Sequence, residues 1–556
     1  MSMIWKRSSL CSFLVTAASL CVALGCSPPA PQMVTHTLHR PLEGPCPTDD
    51  AVLGRGEFGA AVTSFTATVT GPGIAEPIAA TGQTSVVLED VPPGDARVFA
   101  LFGAVSGQAL WRGVSAPTTV KAGEDAAVEV VMAAVADVTC ARSTSPPRAF
   151  HTATALDDGT VLLVGGAGEV VDARAVCNAA CLRATATSTA ALYDPRTGAV
   201  TPVGGLTGAR MFHTAAKLPD GRVVVSGGTG EAFFRRIDTA TTPFPVVPTR
   251  PLATIEVYDP ATQTFSSSGA DPAGPRVFAA ATTTVDGLVL ISGGIPGEDA
   301  PHDLGNALAT TTVCSGETLQ CVPGPSLARP RAGHMMFPIA PEGVFVWGGS
   351  IDLANDGFQM EHLPTGAAAF SLLQVAGMQA TRNVFFAAGT LYSDFRFVAA
   401  GGLFRRADGT FSAVDGDNNN LSARAYVFDI AAGANGGLTP PMNLASGRIF
   451  ASAAPMPDGA SAIVAGGFTV PADLGGLSWE AASTLELFDE ATLQMQTIAV
   501  DGEVRALRQA RAGLTATALG DGTVVLAGGY ASNAVATTAE VFASIKTPPQ
   551  AAEVRP

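Results

Sequence analysis

Charge is what this sequence has little of. Charged residues are 14% of the 556, against about 25% in typical soluble domains, while hydrophobic residues reach 47%. A chain so apolar buries a large core, which excludes a solvated, disordered tail. Basic residues are fewer still: Lys and Arg number 32 against 48 Asp and Glu, for a net charge of −16. Such a balance repels phosphate and excludes nucleic acid as a general partner; an anion site would have to be a local basic patch. Polar chemistry is also thinly supplied, with 7 His and 5 Tyr in the chain. No HExxH, no GxSxG and no repeated Ser-Asp-Gly-Trp box occurs, so the common zinc-hydrolase, serine-hydrolase and sialidase signatures are absent. Gly54-Arg55-Gly56-Glu57-Phe58-Gly59 satisfies GxGxxG but has no strand-turn-helix context and reads as coincidence.

Turn formers, in contrast, are abundant. With 61 Gly and 39 Pro, the composition favours many tight turns and an all-β chain over a helical one. A long apolar span is missing: the run 10–25 is too short and Ser-rich to cross a bilayer, and Lys6 and Arg7 before it make it a secretory signal instead. Val22-Ala23-Leu24-Gly25-Cys26 resembles a bacterial lipobox. That resemblance implies cleavage after residue 25, acylation of Cys26, and anchoring in the bacterial cell envelope, at the outer membrane or cell surface. Residues 26–45 then form a Pro-rich tether.

Of nine cysteines, Cys11 and Cys21 leave with the signal and Cys26 takes lipid. The remaining six are Cys46, Cys140, Cys177, Cys181, Cys314 and Cys321, an even set suited to an oxidising compartment. Cys177 with Cys181 and Cys314 with Cys321 close the shortest loops, which leaves Cys46 for Cys140. A metal reading fits poorly, because the single CxxxC has no second half and no nearby His.

The decisive feature is internal repetition. Seven copies of one pattern run from Arg to Gly-Gly: RAFHTATALDDGTVLLVGG (148–166), RMFHTAAKLPDGRVVVSGG (210–228), RVFAAATTTVDGLVLISGG (276–294), RAGHMMFPIAPEGVFVWGG (331–349), RNVFFAAGTLYSDFRFVAAGG (382–402), RIFASAAPMPDGASAIVAGG (448–467) and RAGLTATALGDGTVVLAGG (511–529). Each reads as a β-hairpin. In five copies an apolar run enters an Asp-Gly, at 158–159, 220–221, 286–287, 458–459 and 521–522, expected in a two-residue turn with positive φ, and a Val-rich strand returns to Gly-Gly; the fifth copy has lost its Asp-Gly. A second hairpin follows most copies, as in ALYDPRTGAV (191–200), EVYDPATQTF (256–265) and ELFDEATLQM (486–495). Four strands per repeat result.

These motifs resemble the kelch-repeat β-propellers, particularly the bacterial type similar to the central domain of galactose oxidase. The resemblance covers 136–546 and implies a seven-bladed β-propeller. It departs from the family in lacking the strand-four Trp, in losing Tyr-Asp from repeats three and four, and in a last repeat that stops after AEVF (539–542). DVTCARSTSPPRAFHT (137–152) aligns with AVTPVGGLTGARMFHT (199–214), so 137–142 is expected to pair with 539–543 as the missing strand and close the ring. Short alternating runs in 46–135 read as a small β-sandwich; LEDVPPGDARVFAL (88–101) resembles transthyretin-like or carboxypeptidase-regulatory-like modules. Residues 547–556 are a tail.

Kelch oxidases hold copper with Tyr and His. Here His151, His213 and His334 occupy one repeat position, His36 and His39 fall in the tether, and only His302 and His362 are loop candidates; no cofactor is expected. Asp415-Gly416-Asp417-Asn418-Asn419-Asn420 lacks EF-hand spacing and reads as a solvated loop. Chain direction puts Arg148, Arg210, Arg276, Arg331, Arg382, Arg448 and Arg511 at the Gly-Gly rim with the long loops 167–189, 229–253, 403–423 and 468–484. Animal kelch adaptors hold acidic peptides with arginines so placed. Either these arginines bind a ligand, or each pairs with a carboxylate or carbonyl of its own or the next blade. Trp479 and Tyr530 are the loop aromatics of interest. The function expected is a non-enzymatic binding or scaffold module for a protein, peptide or glycan; the alternative is a secreted oxidase or carbohydrate-active enzyme on the same frame.

Overall fold

The computed structural model describes residues 2–4, 33–38 and 63–543, apart from short internal segments of which the longest are 174–180, 236–245, 297–305, 351–359, 376–383, 413–420 and 471–478. The signal segment's apolar run, Cys26, the Gly54 to Gly59 motif, the Asp415 to Asn420 loop and the tail lie outside the described residues.

The repeats fold into antiparallel sheets in the order that their hairpins dictate. The first sheet joins Thr152–Ala155, Val161–Val164, Ala190–Asp194 and Ala199–Val203. The second has Thr214–Lys217, Val223–Ser226, Thr254–Asp259 and Thr264–Ala270, and the third Ala280–Thr283, Val289–Ser292, Thr311–Cys314 and Cys321–Pro323. The fourth, fifth and sixth begin at Met335–Ile339, Ala388–Ser393 and Ser452–Pro455 and keep the same strand order. In the seventh, Thr515–Ala518, Thr523–Ala527 and Thr538–Ala543 are followed by a strand from far upstream, Val138–Ser143. Phe542 faces Val138 and Glu540 faces Cys140, so the expected closing strand is in place, one residue later than the alignment put it. The first strand of each sheet packs beside that of the next, and the seventh beside the first. This is the all-β arrangement of a β-propeller, in which ring closure covers the edge that an open array would expose.

Burial follows from the strand positions. The second strands, such as Val161–Val164, Val223–Ser226 and Val289–Ser292, are buried at every residue, because sheets pack on both of their faces. The Asp-Gly turns differ from expectation. Leu156 N–H donates to Thr160 O and Gly159 N–H to Leu156 O, and only Gly159 takes positive φ, +82°. The loop thus has three residues, with a left-handed Gly ending the turn.

Upstream, a further sheet runs Met33–Leu38, Ala127–Ala134, Gln108–Val114, Gly94–Val105, Ser64–Thr70, Ile78–Gly82. Met33–Leu38, within the stretch read as tether, pairs in parallel with Ala127–Ala134. The long strand Gly94–Val105 pairs Ser64–Thr70 through its later residues and Thr118–Val120 through its first ones. Phe65, Ala67 and Val69 alternate into a core with Phe99, Leu101 and Met132. This unit abuts the seventh sheet, where the Arg112 guanidinium donates to Asp521 O and Ala136 N–H to Ala543 O at 2.9 Å.

Candidate binding face

The repeated arginines are not on an accessible rim. Arg148, Arg210, Arg276, Arg331, Arg448 and Arg511 have no exposed surface; Arg382 lies outside the described residues. Five of them donate Nη1 to the carbonyl of the first Gly-Gly residue 17 positions on, as Arg210 does to Gly227 O at 3.0 Å and Arg511 to Gly528 O at 2.9 Å; Arg448 reaches Gly466 O at 3.5 Å. In five of the six, another guanidinium nitrogen meets a buried acid. Arg210 pairs with Glu256, Arg331 with Glu361 at 2.8 Å, Arg448 with Glu486, Arg511 with Glu540 at 2.8 Å, and Arg276 with Asp271 at 2.9 Å. Burial lowers the pKa of Arg210, Arg276, Arg331 and Arg448, and the paired carboxylate opposes that shift. The reading of these residues as ligand contacts is therefore corrected: they tie each sheet's first two strands to its third. The sequence signal was present, since Glu stands two residues before the aromatic of EVYD (256–259), ELFD (486–489) and EVFA (540–543).

Backbone bonds link sheet to sheet through the same residues. Gly166 N–H donates to Arg210 O, Gly228 to Arg276, Gly294 to Arg331, Gly402 to Arg448, Gly467 to Arg511, and Gly529 back to Arg148. At the fifth repeat Gly349 N–H donates to Val384 O. Val384, not Arg382, thus holds the arginine's position there, two residues later than the sequence alignment placed it. Glycine is required at these pairs: Gly165 has φ +58°, and a Cβ on it would stand 2.5 Å from Arg210 O.

Two residues after the arginine, a second ring closes around the axis. Phe150, Phe212, Phe278, Phe386 and Phe450 all have φ between +51° and +60°, and Gly333 and Gly513 hold the same position at +60° and +63°. Each donates its N–H to the carbonyl of the preceding member: Phe212 to Phe150, Phe278 to Phe212, Gly333 to Phe278, and onward until Phe150 donates to Gly513. Left-handed φ on a bulky residue costs about 1–3 kcal/mol; its recurrence shows that ring bonding and burial outweigh that strain. The phenyl rings meet in sequence at 4.6, 4.8, 5.0, 4.9 and 5.6 Å between centroids. Gly333 makes room for one of them, because a Cβ there would stand 2.6 Å from the Phe386 ring.

Above this plug the loops after Gly-Gly complete an apolar cover. Trp479 is 3% exposed, lies edge-on to Phe234 and Phe468 at 5.2 and 5.0 Å, and donates Nε1–H to Arg235 O at 3.0 Å. Tyr530, 4% exposed, packs at 6.1 Å from Phe468, and burial raises its pKa. Both aromatics are core, correcting their reading as surface contacts.

Metal donors are scattered. His213 Nε2 lies 2.9 Å from Thr152 Oγ1, His151 Nε2 3.1 Å from Thr515 Oγ1, and His334 Nε2 2.7 Å from Ser292 Oγ. Each histidine thus bonds a hydroxyl of the neighbouring sheet. Burial, reinforced by nearby arginines, lowers His213 and His334 to about 3 and His151 well below its usual value, so all three are neutral. His362 stacks on Phe345 at 4.2 Å, and His302 is outside the described residues. Among the described residues no three His, Cys, Asp or Glu side chains converge. The Tyr and His set that a kelch-oxidase copper centre needs is not assembled by these residues. Cys314 and Cys321 form a disulfide. Cys140 and Cys181 are disulfide-bonded too, while Cys46 and Cys177 lie outside the described residues.

What the loops do build is a fourfold strand array. Ala167–Asp172, Cys181–Ala186, Thr229–Arg235 and Val246–Pro251 form one antiparallel sheet from the long loops of repeats one and two. Its inner residues Ala184, Ala232, Phe234 and Val246 join the axial core. Its other face places Val171, Arg183, Phe233 and Val247 in one cross-strand row and Glu169, Thr185, Glu231 and Thr249 in the next. Arg183 and Glu231 lie 3.7 Å apart, with 41% and 37% of their side chains exposed. Periodicity in the sequence did not reveal this sheet, because its hairpins occur in two repeats only.

No family model and no curated protein matches the chain. Among solved structures the chain is similar to a novel fungal alcohol oxidase with catalytic diversity among the AA5 family, in complex with copper, at 16% identity, with 73% of this chain and 77% of that one covered and a TM-score of 0.47. A likeness of that degree carries neither the copper nor the activity to this chain.

Proposed function

We propose that this protein is a lipid-anchored envelope lipoprotein whose seven-bladed kelch-type β-propeller, preceded by a small β-sandwich, acts as a non-enzymatic binding or scaffold module. The observation that supports this reading is the partly exposed, mixed polar and apolar face of the loop sheet above an axis filled by phenyl rings. Two registered rows of Arg, Glu, Thr and apolar side chains on a braced sheet suit a flat polar ligand, a peptide or a glycan. Acylation at Cys26 holds the module at the membrane, and nucleic acid remains excluded by the acidic body. Screening the mature protein on peptide and glycan arrays tests the reading. Replacing Arg183 by Ala is expected to weaken a captured ligand about 10- to 100-fold, the value of a charge-assisted hydrogen bond, with the melting temperature unchanged. Ligands that bind wild type and variant alike would place recognition elsewhere.

A further inference from the structure

Six sheets keep the ring arginine, and five supply it with a carboxylate. Register identifies the position of that acid in four of them: Glu256 faces Val225, Glu361 faces Val346, Glu486 faces Val464 and Glu540 faces Leu526. In the third sheet, where Thr312 holds the position opposite Ile291, Asp271 reaches in and receives a hydrogen bond from Arg276 Nη2 at 3.1 Å. The fifth sheet has Val384 for the arginine and Tyr426 opposite Ala399, so cation and acid are lost together. Among the described residues the first sheet alone breaks the pairing, because Ala191 faces Leu163 at the acid position while the arginine remains.

Arg148 is that arginine. It is 0% exposed and donates Nη1 to Gly165 O at 3.0 Å and Thr189 O at 3.2 Å. Among the described residues its Nε and Nη2 have no hydrogen-bond partner. Burial lowers it to about 10 with no opposing carboxylate, which leaves it protonated at neutral pH. A desolvated cation without a counter-charge is among the costliest features a fold can carry.

We propose that a small inorganic anion of the halide class binds Nε and Nη2 of Arg148, in the place that the glutamate carboxylate has in the other sheets. One negative charge completes the pairing, and a monatomic anion needs less room and less dehydration than phosphate or sulfate. Ala191 ends at Cβ where glutamate continues to its carboxylate, so the side chain leaves that position to the ion.

The test is thermal unfolding of the full mature protein in potassium chloride and in potassium gluconate at equal ionic strength. The wild-type melting temperature is expected to be higher in chloride and to rise with each tenfold increase in chloride, as for any ligand that binds the native state. Ala191→Glu is expected to melt higher than wild type in gluconate and to lose the chloride increment. Equal increments in wild type and variant would overturn the proposal. Should the variant fail to fold, crystals of the wild-type protein grown in bromide decide: an anomalous peak within hydrogen-bond reach of the Arg148 guanidinium is expected, and bromide sites elsewhere with none at Arg148 would overturn it.

Discussion

Replacing Arg210 by Ala should destabilise the ring rather than weaken a ligand. Arg210 is wholly buried, donates to Gly227 O at 3.0 Å, Thr254 O at 3.1 Å and Thr254 Oγ1 at 2.8 Å, and pairs with the equally buried Glu256. The variant strands the Glu256 carboxylate, whose Oε2 keeps only the Thr207 N–H at 2.8 Å, and removes the guanidinium donor from the Gly208, Gly227 and Thr254 carbonyls. Breaking a buried pair by removing one partner costs about 3–5 kcal/mol. Glu256→Ala should cost a similar amount, since it strands the guanidinium. The double variant Arg210→Met, Glu256→Leu removes both charges and should lose less than either single change. Urea unfolding of the mature protein measures this, through a midpoint that falls while the slope is preserved. A loss in Arg210→Ala below about 1 kcal/mol, the range of an exposed ion pair, would refute the structural role and return these arginines to the list of ligand contacts.

Three other outcomes follow from the same structure. His213 and His334 are neutral in the fold with pKa values of about 3, below the unfolded value of about 6.5; the unfolded chain therefore takes up protons first, and stability falls as pH drops through that window by about 1.4 kcal/mol per pH unit per histidine. Melting temperatures at pH 7 and pH 5 should show this, with a smaller difference in His213→Gln. Deleting 137–142 exposes the edge of Thr538–Ala543 and should lower the unfolding temperature and promote aggregation; unchanged unfolding would mean that the ring does not depend on this strand. Cys26→Ser should abolish incorporation of a fatty-acid analogue and release the protein from membranes, and label retained in the variant would place the lipid elsewhere.

The sequence made the sheets legible because the repeat carries its own punctuation: a Gly that ends the hairpin turn in every copy but the fifth, a Gly-Gly that ends each second strand, and an apolar run between them. The closing strand was legible for the same reason, since 137–142 aligns with the fourth strand of another repeat. The fate of the arginines was not. Chain direction put them at one end of the sheet, but burial depends on a glycine carbonyl 17 or 18 residues on and, for four of them, on an acid 29 to 46 residues away, partners that local pattern does not join. Repeat five shows the limit of alignment by residue type. Its Arg382 attracted the match, whereas hydrogen bonding puts Val384 in the ring. The aromatic plug left a trace in the alternation of Phe and Gly two residues after the arginine. Trp479 and Tyr530 were misplaced because loop residues are exposed by default, and here the loops fold back over the axis.

Copper content of the purified mature protein tests the central claim most directly, namely that side chains fill the propeller axis and that the Gly-Gly face binds rather than reacts. The axial ring of Phe150, Phe212, Phe278, Phe386 and Phe450 offers no donor, and the three repeat histidines are committed to Thr152, Thr515 and Ser292. Elemental analysis after incubation with copper and removal of the excess should therefore find far less than one ion per chain. One tightly held copper per chain would contradict the account and restore the oxidase reading.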